Sequence, residues 1–128
     1  MDLFDLAKPF LMHLNDKPEA VPFLSAYDMR VQFKVTDGES FYMELKGGKV
    51  VGVNKGMVPN FSNKDDMELF GKTEGFKYIF EKRMTPATAM YYGKVTPRGE
   101  RAKHCQSALT YRLLRIAQEP DWITKVEI

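Results

Sequence analysis

Cysteine is almost missing from this chain. Cys105 is the only one among 128 residues, so no internal disulfide can form and a small secreted scaffold held by bridges is excluded. Long hydrophobic runs are missing as well: no window approaches the roughly 20 apolar residues of a membrane-spanning helix. The first stretch, MDLFDLAKPFLMHL, starts with Asp2 where a signal peptide would be basic. The last residues, Val126, Glu127 and Ile128, match no peroxisomal or retention address. These absences lead us to expect a soluble protein of the cytoplasm. Charge of one sign is also scarce. Lys plus Arg number 19 against 17 Asp plus Glu, and the net charge of +2 is too weak a field to argue for nucleic acid.

The usual signatures of chemistry are absent too. The chain carries no HExxH, no CxxC, no GxSxG and no glycine-rich phosphate loop between a strand and a helix. The histidines, His13 and His104, fall at the ends of different helical segments, without a sequence neighbour that would make either a general base. Cys105 belongs to an apolar stripe, where a thiol is structural rather than reactive. The acids Asp65, Asp66 and Glu68 do not form the oxygen cage that calcium requires and are expected to face solvent. No catalytic residue, no metal and no cofactor is expected.

What is present is the material of a core. Apolar residues make up 44% and charged residues 28%, the proportions of a globular protein, and the length suits one domain over residues 1–128. Met occurs 8 times, Phe 9 and Tyr 6, against a single Trp. Thioethers and rings can fill gaps in a core, and they also suit an apolar cavity that adapts to its contents.

Periodicity gives the order of elements. Leu3, Leu6, Phe10 and Leu14 recur at helical spacing behind a capping Asp2, with Pro9 expected to kink or restart the helix. A short helical piece follows from Pro18. Val31, Phe33 and Val35 then alternate with polar residues up to the Asp37-Gly38 turn. Phe41, Met43 and Leu45 continue the alternation, and after Gly47-Gly48 a third strand runs from Lys49 to Val53, completing a meander. A loop over 57–65, a fourth strand over 66–72 and a helix carrying Phe76, Ile79 and Phe80 come next, the helix capped by Thr73. Thr85-Pro86 opens another helical turn. The strand that follows contains Pro97, which suits only a sheet edge. Residues 100–118 form the last helix, with Ala102, Cys105, Leu109, Leu113 and Ile116 on one face and Pro120 at its end. Lys94, Arg98, Arg101, Lys103, Arg112 and Arg115 make this final third basic.

Pro86 to Gly99 reads P-A-T-A-M-Y-Y-G-K-V-T-P-R-G. It resembles the P-x-x-A-x-x-x-G-K-[apolar]-x-x-x-G pattern of the sterol carrier protein type 2 domain family, in agreement at Pro86, Ala89, Gly93, Lys94, Val95 and Gly99. Val31 to Gly38 looks like that family's first strand and turn, and the likeness in element order covers nearly the whole chain. Pro97 departs from the pattern, as does the loop over 57–65. The resemblance implies an α+β fold: a five-stranded, mostly antiparallel sheet in the order 3-2-1-4-5, covered on one face by helices. It also implies non-catalytic binding or transfer of a lipid or other elongated hydrophobic molecule, such as a sterol, fatty acid or acyl-CoA, in an apolar tunnel.

The residues expected to line that hydrophobic cavity are Phe41, Met43, Phe76, Ile79, Phe80, Met84, Met90, Leu109 and Leu113. The expected partners are a hydrophobic small molecule or lipid and, through the basic cluster, an anionic membrane in transient contact, with no nucleic acid. Two other classes stay open. An accessory or structural interaction domain would have a filled core, and an enzyme using a hydrophobic pocket would draw on Tyr91, Tyr92, Tyr111 or His104.

Overall fold

The computed structural model describes residues 2–26, 28–62, 66–98 and 105–119. A five-stranded sheet in the order β3-β2-β1-β4-β5 forms its centre. The strands are β1 (Met29–Val35), β2 (Phe41–Lys46), β3 (Lys49–Lys55), β4 (Asp66–Gly71) and β5 (Val95–Arg98). β1 pairs with β4 in parallel, and every other neighbouring pair is antiparallel. The expected fold class and strand order hold.

The period of two decides which face is which. Val31, Phe33, Phe41, Met43, Leu45, Met67 and Leu69 are fully or almost fully buried on the inner face, while Arg30, Gln32, Lys34, Tyr42 and Glu44 alternate onto the outer one. Between Glu44 and Leu45 the register with β3 slips, so that Leu45 faces Val50 while Glu44 faces Gly52. The bulge leaves Val51 outside and brings both Val50 and Val53 into the core. β3 is an edge strand, and the Asn15 side chain occupies its free backbone groups by donating to the Val50 carbonyl (2.9 Å) and accepting from the Val50 N–H (2.8 Å). Pro97 lies opposite Leu69 on β5, the other edge, where its missing N–H costs no ladder bond.

The helices are α1 (Leu3–Met12), α2 (Val21–Leu24), α3 (Thr73–Phe80), α4 (Pro86–Tyr91) and α5 (Cys105–Gln118), with short 3-10 turns between α1 and α2. Asp2 caps α1 by accepting from the Asp5 N–H, and Pro9 sits inside this helix without ending it. Thr85 caps α4 in the expected way, with Pro86 in its first turn. The cap of α3 differs from expectation. Its Ncap residue is Lys72, and the carboxylate that accepts from the Thr73 N–H (2.7 Å) and hydroxyl (2.9 Å) belongs to Asp37 in the β1–β2 turn. No described helix is long and apolar enough to cross a membrane. Ala102, His104 and the side chain of Cys105 lie outside what is described, as do Gly99, Arg101, Lys103 and Pro120.

Candidate functional site

Phe33 stands at the middle of the inner face and organises the rings around it. It stacks on Phe41 at 4.9 Å between centroids and meets Phe76 and Phe80 edge-on at 5.9 Å each. Phe80 in turn contacts Phe41 at 6.1 Å and Phe10 of α1 at 5.1 Å, and Phe4 reaches Phe41 at 6.0 Å. This ring cluster follows from spacing: Phe76, Ile79 and Phe80 are three and four residues apart on α3 and share the face turned to the sheet. Met43, Leu109 and Leu113 complete the same buried core.

α3 can sit close to the sheet because of two glycines. A Cβ on Gly75 would come within 2.3 Å of the Lys94 carbonyl oxygen, and one on Gly71 within 2.5 Å. Gly93, at φ +72, turns the chain out of α4 just before that contact. The Gly93-Lys94 pair that the sequence resemblance singled out is therefore a backbone device that seats β5 and α3 together.

The expected lining residues are brought together with few exceptions. Phe41, Met43, Phe76, Ile79, Phe80, Leu109 and Leu113 lie in one buried cluster, with Met84 half-buried against it. Met90 does not join them, because its side of α4 faces solvent and leaves it 42% exposed. The clefts described on the surface, of about 200, 260 and 440 Å³, are lined by other residues. Between sheet and helices the buried apolar side chains pack against one another.

A few polar atoms enter this interior through α5. The Gln118 amide nitrogen donates to the carbonyls of Ile79 (3.0 Å) and Met84 (2.8 Å), tying the end of α3 to α5. Its amide oxygen is buried without a partner among the described residues, as is the hydroxyl of Tyr111. Burial pushes the Tyr111 hydroxyl up to about 12, so it stays protonated at neutral pH and can donate a hydrogen bond but not act as a base. The buried Lys17 donates to the Glu119 carbonyl at the C-terminal end of α5, where the helix dipole favours a cation. His13 is exposed, 3.6 Å from Asp16. Among the described residues no group of three His, Cys, Asp or Glu could hold a metal ion. Chemically, the arrangement offers non-directional apolar contact with a few hydrogen-bonding atoms at one end.

The outer face holds what periodicity missed. Asp66 was expected in solvent, yet it is 1% exposed. It accepts from Arg30 Nε (3.0 Å) and Nη2 (2.8 Å) and from the Ser62 N–H (2.9 Å), and this pairing raises the Arg30 guanidinium above its ordinary value. Gln32 donates to Glu68 (2.7 Å) and accepts from the Val58 N–H (2.7 Å), while Arg30 Nη1 donates to the Pro59 carbonyl (3.0 Å). The parallel pairing of β1 with β4 forces the chain after β3 to cross the outer face. These side chains hold the crossing loop down and bury themselves under it. The signal lay in the sheet order, which places a loop over Arg30 and Gln32 that alternation alone does not register.

No protein-family model and no curated protein sequence matches the chain. Solved structures do. A structure described as sterol carrier protein 2 superposes with a TM-score of 0.67 at 13% identity, covering 90% of this chain and 95% of that one. Palmitated SCP2L2 from Aedes aegypti gives 0.62 at 17% identity, over 89% and 95%. UbiJ-SCP2, described as a ubiquinone synthesis protein, gives 0.56 at 12% identity, over 87% and 88%. At such identities the likeness concerns the fold: this chain has an SCP-2-like fold.

Proposed function

We propose that this SCP-2-like domain binds the apolar chain of a lipid, without turning it over, in the space between the inner sheet face and α3 and α5. The observation that carries the reading is the convergence of Phe41, Met43, Phe76, Ile79, Phe80, Leu109 and Leu113 on one buried surface. A solved structure of the same fold described as palmitated supports it. Because side chains fill the space, the ligand enters by displacing them. Rings and thioethers give way at low cost, since one non-directional contact replaces another, and each ligand methylene removed from water contributes roughly 0.8 kcal/mol. Met84 sits at the rim, and Met90 would take part only after α4 rearranges. Fatty acids, sterols and acyl-CoA all remain ligands to be tested.

The protein would act in the cytoplasm and meet an anionic membrane transiently, using Lys94 and Arg98 together with Arg101 and Lys103 beyond the described residues. Native mass spectrometry of protein purified without detergent tests the binding, since a retained lipid reports its own mass. Unlabelled palmitate should also displace a fluorescent fatty acid saturably. Chemical conversion of that ligand, or no binding at micromolar protein, would contradict the proposal.

A second reading is favoured by the filled interior and by the likeness to UbiJ-SCP2: an accessory domain that acts through its surface. It predicts a lipid-free mass in the native spectrum.

A further inference from the structure

The largest of the three described clefts, about 440 Å³, lies away from the proposed lipid site, between the start of α3 and the turn that follows α4. Thr36, Phe70, Gly71, Lys72, Tyr92 and Lys94 are among its lining residues, and Glu74 is the acid that faces it. That acid is engaged, accepting from the Tyr78 hydroxyl at 3.2 Å. Beside the cleft, the guanidinium of Arg98 lies 3.7 Å from the centroid of the Phe70 ring. On the other side the chain sets out Met90, Tyr91 and Tyr92, which are 42%, 82% and 64% exposed. The α4 stripe does not demand this exposure, since Pro86 and Ala89 alone provide its buried side.

We propose that the Met90–Tyr92 tip, with Lys72, Lys94 and Arg98, docks the protein on an anionic phospholipid surface. The inference deepens the membrane contact proposed above by naming the surface that makes it. Tyrosine rings have an apolar body and a polar end, which suits the headgroup layer, and cations beside them meet the phosphates. Lys72 and Lys94 both line the cleft, so a headgroup phosphate entering it would meet two cations. Two alternatives fit less well. The rings of Tyr91 and Tyr92 meet at 87° with centroids 5.2 Å apart, an arrangement that offers no parallel platform for nucleic-acid bases. A stable protein partner would engage roughly 20–30 residues on each side, far more than the six that make up this surface.

Vesicle flotation tests the surface, using phosphatidylcholine alone and phosphatidylcholine mixed with phosphatidylserine at low ionic strength. The wild-type protein should float with the mixed vesicles and stay in solution with the neutral ones. Tyr91→Ser with Tyr92→Ser should weaken the binding about tenfold or more through the lost apolar insertion. Lys72→Gln with Lys94→Gln should weaken it about twenty-five-fold, from roughly fivefold for each charge at the surface. Both double variants should melt within a few degrees of the wild type and release the fluorescent fatty acid to unlabelled palmitate as the wild type does, because Tyr91, Tyr92 and Lys72 are exposed and the Lys94 ammonium touches only the Tyr78 ring, at 5.6 Å from its centroid. Wild-type flotation that neither pair reduces would overturn this surface while leaving a membrane contact elsewhere. No flotation of the wild type would overturn both, and the fatty-acid assay would report on the interior separately.

Discussion

The two faces of the sheet are built on opposite principles. On the inner face, Phe33, Phe41, Phe76 and Phe80 touch ring to ring without hydrogen bonds. On the outer face, Arg30, Gln32, Asp66 and Glu68 make directional bonds to each other and to the crossing loop. Apolar contacts are non-directional, so one apolar group can stand in for another of similar size, whereas removing one partner of the Arg30–Asp66 pair leaves the other without its hydrogen bonds. One face is thus suited to admit a lipid chain and the other to hold the frame still while it does.

The comparison can be broken from either side. Phe33→Ala should have the largest effect, about 4 kcal/mol of stability lost in urea unfolding, because it removes the ring that Phe41, Phe76 and Phe80 all touch. If the variant still folds, it should take up fatty acid at least as well as the wild type, since a void replaces side chains that otherwise must move. Asp66→Ala should cost about 2.5 kcal/mol by removing the buried acceptor of the Arg30 guanidinium and of the Ser62 N–H. In contrast to Phe33→Ala, it should leave fatty-acid affinity unchanged wherever the protein is folded. A loss of affinity as large as the loss of stability would show that the faces are not independent. Gly75→Ala comes next, at about 2 kcal/mol, because the new methyl group meets the Lys94 carbonyl and must push β5 from α3.

Asp37→Ala should have the smallest effect and should depend on pH. The bonds from Thr73 hold the Asp37 carboxyl below the usual carboxylate range. A depressed folded-state value means that the cap stabilises fully above the ordinary carboxylate range and loses its contribution as pH falls through the depressed value. The thermal midpoints of variant and wild type should therefore differ at pH 7 and converge in strong acid.

Much of the fold was legible because alternation and helical spacing are local. Val31, Phe33 and Val35 announce a strand within a few residues, and Thr85-Pro86 announces a helix start. Non-local bonds were not legible: Thr73 is capped by Asp37 from a distant turn, and Asp66 is buried by a loop whose path follows from strand order. The candidate site was legible only as apolarity. Phe41, Phe76 and Leu113 carry the same signal whether they fill a core or line a cavity, and Met90 shares the composition of the site while pointing away from it.

A lipid chain bound as proposed should exchange contacts with the inner face and leave the outer frame alone. Methyl-labelled protein titrated with palmitate and followed by NMR tests it most directly. Saturable shifts are expected for Met43, Ile79 and Leu113, with Val58 of the crossing loop unmoved. Shifts confined to surface methyls such as Met57 and Val51, with those three interior residues unchanged, would contradict it.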